Sequence, residues 1–355
     1  MGLPQIKIIF QRLGSNIVKR SQRGIVLLIL KDDTVSDNKY EFKSYEEAKK
    51  IKFKAENNDY IKQVFEAGTN KVIVQVIKSN RDLDKVLADS KFIFYNWLAM
   101  PDAEDGDNTK IVDHIITQRE NSRMRKAVVA NKAANNKAIV NFTTDDIQIK
   151  NSKKKYSAKQ YTPRIAGILA SISLKESITY SELPEVESIK EIEDPDAAIG
   201  KGELILVNDG RKIKVGSGVN SLTTIPEDDP NIVEDLKKIK IIEGMDLILT
   251  DIHDTFEDHY VGKYANSYDN KILFFSNVNN YFDALKKDDI LNPDYPAYID
   301  VDVDAHKDYL KKQNKDIDKY TLTQLKKIDT GSTVYASGEI KLLDAMENFI
   351  FKINM

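Results

Sequence analysis

Residues 23–33 read RGIVLLILKDD, and the unbroken apolar stretch 25–30 constrains the fold more than any other feature. A strand with one wet face alternates apolar and polar residues. A strand with no polar position needs cover on both faces, as in a parallel sheet lying between helices. The same kind of run recurs in KVIVQVI (71–77), in KFIFYNWLAMP (91–101), which ends at Pro101, and in KAVVANKAANNKAIVNFT (126–143), which holds two shorter strands. Helical patterns separate these runs. Residues 45–67 carry Ile51, Ala55, Ile61 and Phe65 among charges. NRDLDKVLADS (80–90) opens on a capping residue, and 105–123 puts Ile111, Ile115 and Ile116 on one face. Strand and helix in alternation predict an α/β layer with parallel strands over about 24–150. The lysine-rich KNSKKKYSAKQYTP (150–163) reads as a connector.

The second half is less regular. RIAGILASISL (164–174) predicts a helix rich in small residues. An acidic run follows, with Glu182, Glu185, Glu187, Glu191, Glu193, Asp194 and Asp196 against Lys190. In ELILVNDGRKIKVGSG (203–218) two apolar runs flank Asn208-Asp209-Gly210, the pattern of a β-hairpin. Residues 228–264 predict a long amphipathic helix with an interruption at Gly244, and 270–291 a helical or mixed segment. AYIDVDVDAH (297–306) predicts a strand, followed by short helices over 305–314 and 321–328. STVYASGEIKL (332–342) and ENFIFKINM (347–355) have strand patterns, and in the latter Phe349, Phe351 and Ile353 share one side.

Composition narrows the functions. At 355 residues the chain is long enough for two or three domains. It has no cysteine, so disulfides, thiolate metal sites and cysteine nucleophiles are excluded. The formal net charge of −3 does not suit general nucleic-acid binding, for which a basic surface is the usual footprint. No window reaches the ~18 consecutive apolar residues of a membrane helix. The opening MGLPQIKIIFQRLGSNIVKRSQRG carries Lys7, Arg12, Lys19, Arg20 and Arg23 with no acid, and its apolar run breaks at Gln11. It is not a secretory signal, which needs an apolar core of roughly 7–15 residues. A soluble chain without an export signal is expected.

The chemistry-bearing clusters are weak. DIHDTFEDH (251–259) gathers Asp251, His253, Asp254, Asp258 and His259, but two histidines six apart do not share a helix face as zinc-binding pairs at i, i+4 do. DVDVDAHKD (300–308) starts like a calcium loop, yet Ala305 and Lys311 stand where glycine and glutamate belong. GSGVNS (216–221) lacks the third glycine of a dinucleotide loop and reads as a turn. With four histidines and no cysteine, little is left for acid–base or nucleophilic work. The expectation is no catalytic residue, no cofactor and no metal.

Three stretches in order resemble the sheath proteins of contractile phage tails and phage-tail-like bacteriocins. They are MGLPQIKIIF with RSQRGIVLLILKD (20–32), YTPRIAGILASISLKESITYSELPEV (161–186), and DTGSTVYASGEIKLLDAMENFIFKI (329–353). The compact sheaths of defective-prophage and R-type, diffocin-like particles are the most similar. The resemblance implies an α/β (α+β), two-domain sheath subunit with extended N- and C-terminal β-strand arms that complete a sheet in neighbouring subunits. Its expected parts are a linker arm over 1–23 and an outer α/β domain over 24–155. A conserved, inner, tube-facing domain over 156–330 and closing strands with a second arm over 331–355 follow. Ile6, Ile8, Phe10 and Arg12 would serve one arm, with a hinge at Gly14, Ser15 and Asn16; Phe349, Phe351 and Ile353 would serve the other. Lys311, Lys312, Lys315 and Lys319 are the tube-facing candidates.

The implied function is structural, not enzymatic. Such subunits form hexameric rings stacked helically around an inner tail tube protein, with baseplate and tail-terminator proteins as further partners and neither nucleic acid nor membrane insertion. The sheath assembles in the bacterial host cytoplasm, leaves on lysis, and contracts to drive the tube through an envelope. The alternatives are a baseplate or other component of the same particle, and an α/β enzyme.

Overall fold

The computed structural model describes residues 18–20, 22–224 and 234–353, which divide into two compact units. A sheet unit comprises 22–250 with 343–353, and a helical unit comprises 251–342 with 18–20. The strands of the sheet unit are β1 (Ile25–Lys31), β2 (Lys39–Phe42), β3 (Lys71–Ile77), β4 (Trp97–Ala99), β5 (Lys126–Ala130), β6 (Ile139–Phe142), β7 (Ile147–Ile149), β8 (Lys155–Tyr156), β9 (Val186–Ser188), β10 (Glu203–Leu204), β11 (Leu206–Asn208) and β12 (Ile213–Val215). Its helices are α1 (Tyr45–Ala48), α2 (Ala55–Phe65), α3 (Leu83–Ser90), α4 (Asp105–Glu120), α5 (Ala158–Ser171) and α6 (Pro195–Gly200).

Seven strands form one sheet in the order β10-β6-β5-β4-β1-β3-β2, parallel except for the edge strand β2. The apolar run of β1 sorts onto both faces. Val26, Leu28 and Leu30 pack with Tyr60, Ile61 and Val64 of α2 and Tyr161, Ile165 and Leu169 of α5. Ile25, Leu27 and Ile29 pack with Val86 of α3 and Ile111 and Ile115 of α4. This is the double cover that the sequence demanded. Helices α2 and α5 approach closely at Gly167, where a Cβ would lie 2.8 Å from the Val64 carbonyl oxygen. Pro163 sits inside α5 without an N–H; the Thr162 hydroxyl donates to the Lys159 oxygen that this N–H would have used, at 2.8 Å. The boundary expected at 155/156 falls within this unit, because α5 covers the sheet.

Several expected elements are shorter or divided. The helix over 45–67 splits into α1 and α2, because the Asp32 carboxylate takes the Lys54 N–H at 2.9 Å and draws it out of helical bonding. The strand over 91–101 shrinks to β4. Its pairing with β1 begins at Val26 and Trp97, so residues 91–95 meet no strand, and Phe92 is exposed. The predicted hairpin around Asn208-Asp209-Gly210 is present as β11 and β12.

Helix α7 (Ile239–His259) begins in the sheet unit and runs unbroken through Gly244. An interior glycine costs roughly 1 kcal/mol against alanine, and burial of Ile241, Ile242, Leu247 and Ile248 outweighs it. The helical unit adds α8 (Tyr268–Lys287), β13 (Tyr298–Val301), α9 (Val303–Lys312), α10 (Leu322–Lys326) and β14 (Ala336–Glu339). The strand expected over 297–306 ends early, because the Asp302 side chain accepts the Ala305 N–H and caps α9. Its core includes Phe274, Phe275, Val278, Phe282, Leu285, Val301 and Leu310. No helix among the described residues is long and apolar enough to cross a membrane.

Candidate assembly surfaces

Strands β13 and β14 pair antiparallel as a two-stranded sheet, with Ile299 opposite Gly338 and Asp300 opposite Ser337. Such a pair is only marginally stable without further cover. Asn279 of α8 supplies some of it. Its amide accepts the Ile299 N–H at 2.8 Å and donates to the Ile299 carbonyl at 3.2 Å. Ile299 therefore turns its backbone groups away from β14, and the outer edge of β13 is occupied there. By the alternation of an antiparallel ladder, Ala336 and Gly338 of β14 turn theirs outward. No described residue takes these groups, and all four β14 residues are exposed. This is an open strand edge with a defined register.

Residues 347–353 form no regular element, although their alternation predicts a strand. A strand needs a backbone partner, and none is present among the described residues. Phe349 is 88% exposed, Ile350 87%, Phe351 70% and Ile353 70%. The Phe349 and Phe351 rings stack with centroids 6.0 Å apart, so they share a side. The counterpart residues Ile6, Ile8, Phe10 and Arg12 lie outside the described residues.

The candidate lysines lie on α9 and the loop after it. Lys311 pairs with Asp308 at 3.1 Å and Lys319 with Asp316 at 3.4 Å, so half of this basic set is locally neutralised. Lys312 and Lys315 have no ion pair among the described residues. The helical unit also carries an apolar groove of about 490 Å³ lined by Tyr260, Tyr264, Phe274 and Val334. Lys271 borders it, 3% exposed, and burial lowers the pKa of its amine.

The most heavily charged interior lies in the sheet unit and is illegible in the sequence, because its members are far apart along the chain. Arg119 of α4 grips Asp246 of α7 through both guanidinium nitrogens, each at 2.7 Å. Lys126 of β5 reaches Asp246 at 2.9 Å and Glu243 at 3.1 Å, and Arg23 reaches Glu243 at 2.9 Å. Burial alone would raise the Asp246 carboxyl; the Lys126 and Arg119 charges outweigh it and hold its pKa below the ordinary value. Nearby in the same unit His114 is buried, its Nε2 3.3 Å from the Ser90 hydroxyl and 3.2 Å from that of Tyr95. Burial, aided by the Lys91 charge, lowers its pKa to about 4.

Of the metal-like residues, His253 and Asp254 meet Glu257, with ligand atoms within 4.8 Å on an exposed helix face. Asp251 instead accepts the Tyr281 hydroxyl at 2.6 Å in the core. Asp300, Asp302 and Asp304 diverge: Asp300 pairs with Lys326, Asp302 caps α9 and Asp304 pairs with Lys307. They do not converge on a calcium position. At the carboxyl end of β1, where α/β sheets commonly hold ligands, Asp32 is consumed by Thr34, Lys54 and Asn57.

Residues 233–355 match the family model described as the phage tail sheath C-terminal domain. The whole chain is 34% identical to the tail sheath protein of Clostridium phage phiCD119, an alignment covering 100% of this chain and 99% of that one. A solved sheath tail protein of Desulfitobacterium hafniense superposes with a TM-score of 0.70 at 14% identity, over 83% of this chain and 93% of that one. The anti-feeding prophage helical sheath in its contracted state superposes with a TM-score of 0.71 at 11% identity, over 100% and 99% of the two chains.

Proposed function

The chain belongs to the tail sheath family of contractile phage tails and related contractile injection systems, and from that premise we propose that its two ends join neighbouring copies by strand addition. The observation that carries this reading is the outer edge of β14, open among the described residues, matched in kind by an exposed aromatic segment with no strand partner among them. The C-terminal strands and linker arm over 331–355 and an N-terminal arm over 1–23 extend such a sheet across subunits, through Phe349, Phe351 and Ile353 at one end and Ile6, Ile8, Phe10 and Arg12 at the other. Backbone pairing supplies affinity and side-chain alternation supplies register. Each added main-chain hydrogen bond contributes roughly 1 kcal/mol net, and each docked Phe or Ile about 1.5–3 kcal/mol.

Subunits linked in this way build hexameric rings that stack helically, since a heterologous contact that does not close on itself propagates. The sheath surrounds an inner tail tube protein, with Lys311, Lys312, Lys315 and Lys319 facing the tube, and ends on baseplate and tail-terminator proteins. It assembles in the host cytoplasm. Contraction is a shift between two subunit arrangements, each made of the same rigid units; it requires no catalysis and no cofactor. The test is negative-stain electron microscopy of the purified chain beside variants lacking 1–20 or 347–355, each with and without tube protein. Striated hollow cylinders from the full chain alone support the reading. Monomers in every sample, tube protein included, overturn it.

A further inference from the structure

The root of the C-terminal segment is not free. Within the sheet unit, the Glu347 carboxylate accepts from the Thr179 hydroxyl at 2.6 Å, and the Ser177 hydroxyl lies 3.0 Å from the same oxygen. Three residues earlier, Asp344 forms an ion pair with Lys238, immediately before α7. The two grips are braced against each other by the loop GSGVNS (216–221). The Gly218 N–H donates to the Thr179 hydroxyl oxygen at 2.9 Å, and its carbonyl accepts from Ile239 at 2.9 Å. A Cβ at Gly218 would lie 3.0 Å from the Ser177 hydroxyl oxygen and 3.2 Å from that of Thr179, so the loop seats directly on them.

The hydrogen count explains why this place holds a carboxylate. The Thr179 oxygen already accepts from Gly218, and the one hydrogen of Ser177 lies between this oxygen, at 2.9 Å, and Glu347. The single hydrogen of Thr179 is left pointing outward, and an ionised carboxylate only accepts. Lys238 adds positive charge beside the second acid. The grips are polar and surface-placed, with the Lys238 and Asp344 side chains 38% and 32% exposed. Beyond them the chain runs out with its aromatic residues uncovered.

We propose that Ser177, Thr179 and Lys238 form a carboxylate clip that positions the root of the C-terminal arm, fixing where residues 348–353 leave the body and sparing association the entropy of ordering 343–347. This rests on the sheath reading for its consequence and on geometry alone for its existence. Ordering a segment in advance strengthens binding without any new contact.

Two measurements test it. The chain has no cysteine, so a spin label on N348C reports the arm root alone. In the monomer, T179V and E347A each raise label mobility and leave the melting temperature within about 2 °C, while K238R retains wild-type mobility. Unchanged mobility in T179V overturns the clip whether or not the chain assembles. In the assembly assay, T179V and E347A each raise the concentration for half-assembly about tenfold, and the double variant goes no further because both remove one contact. Assembly of T179V at the wild-type concentration, or full addition of the two effects, overturns the positioning role. A wild-type chain that never assembles overturns the sheath reading and leaves the clip to be judged on the label.

Discussion

Two stretches rich in large apolar residues meet opposite fates in the sheet unit. Residues 25–30 are apolar and 4% exposed or less, whereas Phe349, Ile350, Phe351 and Ile353 are 70–88% exposed. Hydrophobicity does not separate them. The first stretch has strands β3 and β4 on its two edges and helices on both faces, all supplied by the same chain. The second has polar grips at its root and, among the described residues, no strand or helix to cover it beyond them. An apolar run buried inside one chain is a stability element; one left outside is an interaction element.

The sharpest way to test this comparison is to place the same charge in both. Leu28→Asp buries an unpaired carboxylate between two helical layers and abolishes cooperative folding of the sheet unit, a cost of several kcal/mol, read by circular dichroism. Ile350→Asp leaves the same signal and the same melting curve. A loss of folding in the second variant would break the comparison.

The polar interior gives the next largest effect. Arg119→Met strips Asp246 of its bidentate partner and costs about 3–5 kcal/mol in urea unfolding. Replacing Arg119 and Asp246 together by apolar residues recovers much of this.

His114 sets an acid limit on the same unit. Its folded pKa of about 4 lies below the ordinary 6.5, so the folded form binds its proton less readily than the unfolded form. This contribution is complete above pH 6.5 and declines as the pH falls toward about 4, by at most about 3 kcal/mol. Urea midpoints measured across that range fall in the wild type, and fall less steeply in His114→Gln.

The smallest effect on the monomer belongs to the arm. Phe351→Ser changes unfolding free energy by less than about 0.5 kcal/mol, while the concentration needed for assembly rises at least tenfold, measured by sedimentation. A stability loss of about 2 kcal/mol or more would mean that Phe351 is buried in the monomer after all.

Much of the sheet unit was legible because its signals are local. The apolar runs of β1 and β3 and the 208–210 turn each state their structure within about ten residues, and the helix expected to open at Asn80 starts two residues later, capped by Asp82. What failed was decided by partners distant in sequence. Asp32 divides the helix expected over 45–67 through Lys54. The start of β1 limits β4. Residues 347–353 carry a strand pattern and form no strand, because alternation specifies faces but cannot supply an edge. The open edge of β14 was equally hidden, since it depends on which side of β13 Asn279 occupies.

The sequence by itself determined a doubly covered parallel sheet, a long amphipathic helix, an absence of thiol chemistry and a family resemblance that the comparisons establish. These follow from periodicity and composition, which act over one element at a time. Only the tertiary structure decided that Arg23, Arg119, Lys126, Glu243 and Asp246 share one buried centre and that Ser177, Thr179 and Lys238 meet Glu347 and Asp344. The physical reason is range. A hydrogen bond or ion pair acts over a few ångströms, and residues more than a hundred positions apart come within that distance only when the chain has folded.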